Sequence, residues 1–300
     1  MPSHNKQQIL TSVDIGGTYI KYGAVLFSQE HSQAEVLWHE KVPSLAQDGV
    51  EGMLSTITTI VAALLMREPR ATSVGIGVPG VVDPTTRIVQ NPPNLKGWRN
   101  VDLLDHIRQS PLTTSIPVYV ENDANCGAIA ELHAGAGKGL TDFVYITLGT
   151  GVGGGIVMNG KLYVGANGEA GEVGHMISGS YPGRKLEDIV GNKGIVERYG
   201  QPVTVHEIDV RAQHGDEHAI HVLTETGTLI GESLCSALAV LGMRTVIVGG
   251  GVSRSTFVIE GIRKQLNLIP IPTIRASVQL LQAQFLDHAG LVGAALLGVA

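Results

Sequence analysis

Cysteine is almost missing from this chain. Two residues in 300, Cys126 and Cys235, cannot build a disulfide framework or a four-thiolate metal site. Both fall in helix-like stretches and read as small core residues. A basic run is also missing, and the formal charge of −6 argues against a nucleic-acid surface. The first residues, MPSHNKQQIL, have no apolar signal core, and no apolar run is expected to reach membrane-spanning length. The expectation is a soluble cytoplasmic protein with no membrane or nucleic-acid partner. About ten residues precede the first strand, which leaves no expected room for a DNA-binding module ahead of it. No linker, low-complexity segment or short-period repeat is visible.

What is present is apolar residue and glycine. Apolar residues make up 43% and charged ones 16%, so a sizeable core is available. The length fits two ordinary domains or one large one. The 39 glycines cluster in a few loops without any collagen-like period, which points to sites where backbone meets ligand.

One stretch organises the rest, VYITLGTGVGGGIVMNGKLYVGANGEAGEVGH from Val144 to His175. It begins as an apolar strand, passes through Gly149-Thr150-Gly151, and leaves through Gly153 to Gly155. A second strand meets Asn159-Gly160, the strongest short hairpin signal, because both turn residues take positive φ. Backbone without side chains on a sheet rim exposes N–H groups and lets a phosphate approach. The stretch ends in Glu169, Glu172 and His175, polar groups suited to sugar hydroxyls. A phosphate cradle and a polyol site on one segment point to phosphoryl transfer onto a sugar.

The remainder reads as alternating strands and helices. Leu10 to Ile15 is a strand, Gly16-Gly17-Thr18 a turn, and Ile20 to Leu26 the returning strand. Asp14 beside that turn suits nucleotide phosphates and their Mg²⁺, or is simply the cap of a hairpin turn. Lys21 reads equally as a solvated strand residue or a phosphate neighbour. Val36 to Val42 is a strand, Val50 to Arg67 a helix, and Ser73 to Val78 a buried strand. Asn91 to Asn100 (NPPNLKGWRN) reads as an irregular loop, either lining a sugar or simply on the surface. Asp102 to Ser110 is a short helix. Val118 to Val120 is a strand whose carboxyl end meets Glu121-Asn122-Asp123-Ala124-Asn125, ahead of a helix from Cys126 to Gly135. Ligand sites in α/β sheets lie beyond the carboxyl ends of strands. One residue of this group caps the helix. Asp123 is the candidate general base.

Further on, Met176 to Arg184 is a loop. Leu186 to Tyr199 is helical but broken by Gly191 and Gly194, and Thr204 to Ala212 is helical. His218 to Leu241 is a long helix whose Gly227 and Gly231 either permit close packing or split it. Thr245 to Val248 is a buried strand feeding a third glycine turn, Gly249-Gly250-Gly251. Ser253 to Leu266 is a helix, Thr273 to Ala276 a strand, and Asp287 to Val299 a final helix. A hairpin with a glycine turn opens each half, at residues 11–26 and 143–158, as in two similar α/β halves with a nucleotide between them.

Four motifs in order resemble one family. They are Asp14-Ile15-Gly16-Gly17-Thr18; Glu121-Asn122-Asp123-Ala124-Asn125 with Glu131; Leu148-Gly149-Thr150-Gly151-Val152-Gly153-Gly154-Gly155; and Gly171-Glu172-Val173-Gly174-His175. Together they look like the ROK family of bacterial sugar kinases and related repressors. The resemblance implies an α/β, actin/hexokinase-like two-domain fold with an interdomain cleft. The domains expected are 1–119 with the C-terminal helix 287–300, and 120–286. It implies Asp123 as base and Asn122, Glu172, His175 and Glu187 as sugar ligands alongside it. It also implies ATP, with Mg²⁺, held by Asp14, Gly16, Gly17, Thr18, Gly149, Thr150, Gly151 and Gly249 to Gly251. A homodimer follows by family analogy. The family usually places three cysteines after the His, binding structural zinc. Ser178, Ser180 and Lys185 stand there instead, poor ligands for a tetrahedral thiolate site, so no zinc is expected. Pro93-Asn94-Leu95-Lys96-Gly97-Trp98 resembles the glucokinase branch. The leading expectation is glucose phosphorylation. Fructose, mannose, an N-acetylhexosamine, a β-glucoside, polyphosphate as donor, and a non-catalytic sugar-sensing regulator stay open.

Overall fold

The computed structural model describes residues 7–44, 49–92 and 95–299. From residue 7 to 134 the elements are β1 (Gln7–Ile15), β2 (Tyr19–Ser28), β3 (Gln33–Pro43), α1 (Gly49–Arg67), β4 (Ala71–Val78), β5 (Val81–Val82), β6 (Val89–Gln90), α2 (Leu103–Arg108), β7 (Val118–Asn122) and α3 (Asp123–Ala134). After these come β8 (Phe143–Leu148), β9 (Val152–Met158), β10 (Lys161–Tyr163), α4 (Leu186–Val190), α5 (Asn192–Tyr199), α6 (Val205–Gln213), α7 (Glu217–Leu241), β11 (Thr245–Gly249), α8 (Thr256–Leu266), α9 (Pro272–Arg275), β12 (Gln279–Gln282) and α10 (Ala289–Leu296). They gather into two compact units. One is Met1–Leu140 with Gly160–Ala170 and His288–Ala300; the other is Thr141–Asn159 with Gly171–Asp287.

The first unit carries a sheet in the order β3-β2-β1-β4-β7. β1 and β2 form an antiparallel hairpin closing at Ile15 and Ile20, and β4 and β7 run parallel to β1. Successive side chains of a strand point to opposite faces. Val74, Ile76 and Val78 of β4 join one core with Met53, Ile57 and Leu64 of α1. Gly75, one residue out of phase, faces α10, where an added Cβ would lie 1.7 Å from the Ala294 carbonyl oxygen. Both faces of β4 are thus covered, which is why it reads as an unbroken apolar run.

α1 is 19 residues long with a mean hydropathy of 1.6, enough by length and composition to cross a membrane. The expectation that no apolar run reaches membrane-spanning length is corrected by this helix. Its apolar stripe, Met53 to Leu64, is packed into the unit's core, while Glu51 and Arg67 occupy its first and last turns.

The strands of the second unit run β9-β8-β11-β12, again an antiparallel hairpin followed by two parallel strands. This matches β2-β1-β4-β7 strand for strand and agrees with the duplication read from the two glycine-turn hairpins. Asn159 and Gly160, leading from β9 towards β10, both have positive φ, 53° and 71°.

Two departures from the sequence reading, at 273–276 and at the unit boundary, and one alternative it left open in α7 have identifiable causes. Residues 273–276 are not a strand: Pro272 at the first helical position pre-sets φ, and α9 forms, with the strand falling at β12. α7 is one helix of 25 residues. Its glycines allow α8 to come close, since a Cβ on Gly227 would sit 2.1 Å from the Val258 carbonyl oxygen. The first unit continues past residue 119 to Leu140, because β7 pairs with β4 and α3 packs on α10. Gly191 does interrupt the 186–199 helix, whereas Gly194 lies inside α5. Cys126 is buried and Cys235 half-buried, both as free thiols.

Candidate active site

In the first unit, three neighbouring parallel strands end level with one another. Asp14 of β1 is paired with Gly77 of β4, and Gly77 with Glu121 of β7. An added Cβ on Gly77 would be 3.7 Å from both the Asp14 carboxylate and the Asp123 Cα. Asp14 and the backbone of Asp123 are thereby brought to the same rim. The rim is the carboxyl end of the strands, where α/β sheets bind ligands.

The group 121–125 separates into distinct roles. Asn122 is the cap of α3: its side-chain oxygen accepts from the Ala124 and Asn125 amides at 2.9 and 3.0 Å, and its amide donates to the Gly80 carbonyl at 2.9 Å. Glu121 is buried and accepts from the Asn122 amide at 2.9 Å and the Asn125 side chain at 3.0 Å. Asp123, half-buried, is the first residue of α3, with its carboxylate accepting from the Ala124 amide at 2.9 Å. The helix N-terminus stabilises negative charge at that place.

Asp14 is largely buried, its side chain 16% exposed, with the Lys21 ammonium 3.9 Å away. Its carboxylate lies against Gly290 in the first turn of α10, where a Cβ would be 2.9 Å from it. Gly16 turns the chain by donating to the Tyr19 carbonyl at 2.9 Å, and Gly17 and Thr18 are exposed. Burial pushes the Asp14 carboxyl up and Lys21 partly opposes this. An unfolded aspartate titrates near pH 4. Because the folded value is higher, its stabilising contribution is complete below that pH and is lost as pH rises through the folded value. Ionised Asp14 therefore costs stability at neutral pH. Asp14→Asn is expected to raise the melting temperature at pH 7, with the gain vanishing towards pH 4. Calorimetry across pH checks this, and a lowered melting temperature at pH 7 would contradict it.

In the second unit, the two glycine turns read separately from sequence come together, because β8 and β11 are adjacent, with Thr147 opposite Gly249. The Gly149–Gly151 turn is closed by the Gly149 amide donating to the Gly151 carbonyl at 3.0 Å, and the Asn192 amide at the start of α5 donates to Gly149 at 2.9 Å. Beside the turns lies a cavity of about 380 Å³, lined by Gly149, Gly251, Asn192, Thr204, Asp209 and Ser255 among others. The Arg254 guanidinium and Asp287 carboxylate, also in its lining, are paired at 2.5 Å. Asp209 Oδ1 and Ser255 Oγ are buried with no hydrogen-bond partner. Buried polar atoms are costly to leave unsatisfied, so a polar guest that pairs with them is favoured.

The polar candidates of this unit are ordered by its backbone. Glu172 precedes and His175 ends a single 3-10 turn, and the His175 Nδ1 is 2.9 Å from a Glu172 carboxylate oxygen. Glu187, on α4, accepts from the Val152 amide at 3.0 Å, just after the glycine turn. A Cβ at Gly151 would come within 2.3 Å of the Glu187 carboxylate, so the turn and Glu187 are one assembly.

Zinc chemistry does not fit this donor set. The Ser178 hydroxyl accepts from the Tyr181 amide at 3.2 Å, and the Ser180 hydroxyl is engaged with Glu232 at 3.1 Å. Hydroxyls so engaged and a Lys185 ammonium do not replace thiolates. Among the described residues no three His, Cys, Asp or Glu side chains cluster as a metal site.

Sequence reasoning missed most of the cavity wall, namely Asn192, Thr204 to His206, Asp209, Val252, Arg254, Ser255 and Asp287. The one local signal there was Thr204 with Glu207, a capping box that starts α6. Trp98 and Leu95 are buried in the first unit's core, so within 91–100 they are packing residues; Pro93 and Asn94 lie outside the described residues.

A profile described as ROK family matches residues 10–299, and the chain belongs to that family. It is 29% identical to a glucokinase of Halalkalibacterium halodurans, over 94% of this chain and 92% of that protein. It is 30% identical to an N-acetylmannosamine kinase of Shigella flexneri, over 96% and 97%. The crystal structure of a ROK family glucokinase from Streptomyces griseus, in complex with glucose and AMPPNP, superposes with a TM-score of 0.81 at 32% identity, over 97% and 98% of the two chains. The fold is the α/β, actin/hexokinase-like fold, and the protein is a sugar kinase.

Proposed function

We propose that this sugar kinase transfers the γ-phosphoryl group of ATP to a hexose hydroxyl, glucose being the first candidate, with Asp123 as general base. The observation that carries the reading is the position of Asp123. It heads α3 at the carboxyl end of a parallel strand, where its neighbour Asn122 is the cap residue and its own carboxylate also accepts from the Ala124 amide. In the step, Asp123 accepts the proton of the attacking sugar hydroxyl. A bond forms between that oxygen and the γ-phosphorus, and the bond from phosphorus to the β–γ bridging oxygen breaks, releasing ADP. Mg²⁺ arriving with the nucleotide neutralises phosphate charge, and Asp14 is the carboxylate of this chain that would face it. Glu172, His175 and Glu187 are proposed to bind sugar hydroxyls. Asn122 is proposed to act on the sugar through its hold on the start of α3.

ATP is preferred over polyphosphate because the glycine turns border a cavity of about 380 Å³ with two unpartnered polar atoms in its lining. A nucleoside fits such a space, whereas a polyphosphate chain calls for a basic track. The glucokinase relative with glucose and AMPPNP supports both choices. A cytoplasmic setting agrees with the two free thiols.

A coupled ADP-release assay over glucose, fructose, mannose, N-acetylmannosamine, N-acetylglucosamine and a β-glucoside tests the reading. Phosphate transfer from polyphosphate is followed in parallel as sugar phosphate. Glucose with ATP is expected to give the highest kcat/KM. A better hexose would replace glucose, and better transfer from polyphosphate would replace ATP. Sugar binding without any turnover would leave the non-catalytic regulator.

A further inference from the structure

The loop Met176–Lys185 joins two of the proposed sugar ligands, His175 and Glu187. It is closed at its base by hydrogen bonds, and Arg184 near its end pairs with Glu197 of α5 at 3.7 Å. Ile177 and Lys185 form an antiparallel bridge, the Ser178 amide donates to the Arg184 carbonyl at 3.0 Å, and the Leu186 amide donates to the Met176 carbonyl at 2.8 Å. This sets residues 176 and 186 across from each other, and therefore His175 beside Glu187 in the chain path.

The tip is fastened to α7, and through Glu225 to Arg198 of α5. The Tyr181 hydroxyl donates to Glu225 at 3.1 Å, and Ser180 is bonded to Glu232 at 3.1 Å. The other oxygen of Glu225 is paired with Arg198 at 2.6 Å. The Arg198 guanidinium is itself 11% exposed and reaches the Thr226 hydroxyl, the Val222 carbonyl at 3.4 Å and the Ile189 carbonyl, at the end of α4, at 3.3 Å. Burial, with the Glu225 carboxylate beside it, pushes the Tyr181 phenol up, so it stays a donor at neutral pH. Charge-assisted bonds of this kind are the stronger ones, and their arrangement is directional.

We propose that Tyr181, Glu225 and Arg198 form a metal-free clasp that holds the 176–185 loop and, through it, the spacing of His175 and Glu187. The three are positioning residues for the sugar, and the proposal rests on the sugar-kinase reading above. Ser178 and Ser180, at two places where the family pattern has thiolates, use their hydroxyls within the same fastening.

The test compares wild type with Tyr181→Phe, Ser180→Ala and Glu225→Gln. Each keeps side-chain volume or shortens it slightly. Tyr181→Phe and Glu225→Gln are expected to raise the KM for the best hexose roughly three- to tenfold, with kcat and the KM for ATP within about twofold. Their double variant should raise it no more than the larger single change, since both break one link. Trypsin should cut after Arg184 or Lys185 faster in these variants, and saturating sugar should slow the cut. Equal rises in both KM values, or unchanged sugar KM with unchanged proteolysis, would overturn the clasp. One zinc per chain in protein purified without chelator would overturn it too. If wild type phosphorylates no sugar, the functional reading fails instead, and the proteolysis comparison still decides whether the clasp holds the loop.

Discussion

Asp123→Asn is expected to lower kcat by about 10²- to 10⁴-fold, the usual worth of a positioned general base. The exchange is almost isosteric. The side-chain oxygen can still accept from the Ala124 amide, and Asn122 still caps α3. What is lost is the ability to take a proton, together with one negative charge at a helix N-terminus, worth about 0.3–1 kcal/mol. Sugar affinity by titration calorimetry should therefore stay within about threefold, and the melting temperature should fall by only a few degrees. A kcat within tenfold of wild type would remove Asp123 as the base. A parallel collapse of sugar binding would assign it to binding instead.

Gly250→Ala is expected to damage both stability and the nucleotide side of the reaction. Gly250 sits at φ 81°, ψ 169°, a region open in practice only to glycine. A Cβ there would lie 2.3 Å from the Leu148 carbonyl oxygen and 2.6 Å from its amide nitrogen. Backbone strain and overpacking together should cost about 3 kcal/mol, or roughly 5–10 °C in melting temperature. To relieve the clash the turn after β11 must move from the end of β8, which separates Gly251 from Gly149 across the cavity. The KM for ATP should rise more than tenfold and that for the sugar far less. Gly251→Ala makes the control. A Cβ on Gly251 meets no atom within 4 Å, so this variant should keep its melting temperature while filling cavity space and weakening ATP. If Gly251→Ala leaves the KM for ATP unchanged, the cavity is not the nucleoside site.

The two variants differ in how far sequence could foresee them. Asp123 as a candidate, and its place between a strand and a helix, was legible because a strand, a polar cluster and a helix follow one another from Val118 to Gly135. Even so, Asn122 and Asp123 stood equal as caps until hydrogen bonds placed the cap on Asn122. The glycine turns at 149–151 and 249–251 were each legible, but not their meeting. Nor was the wall made by Asn192, Thr204 and Asp209, because no local pattern marks residues that touch only after α4 to α6 have packed. The strand expected at 273–276 failed for a related reason. Four residues, Thr273 to Ala276, are too short for periodicity to separate strand from helical turn, and Pro272 tipped them to the turn.

By itself the amino-acid order determined the succession of elements, the doubled hairpin, the Asn159-Gly160 turn and the family. These depend on side-chain periodicity and on backbone angles within a few neighbouring residues. The tertiary structure alone decided that Asn122 is the cap residue of α3, how Gly151 admits Glu187, and what fastens the loop after His175. Those outcomes depend on close approaches between segments tens of residues apart, where a few tenths of an ångström separate a hydrogen bond from a clash.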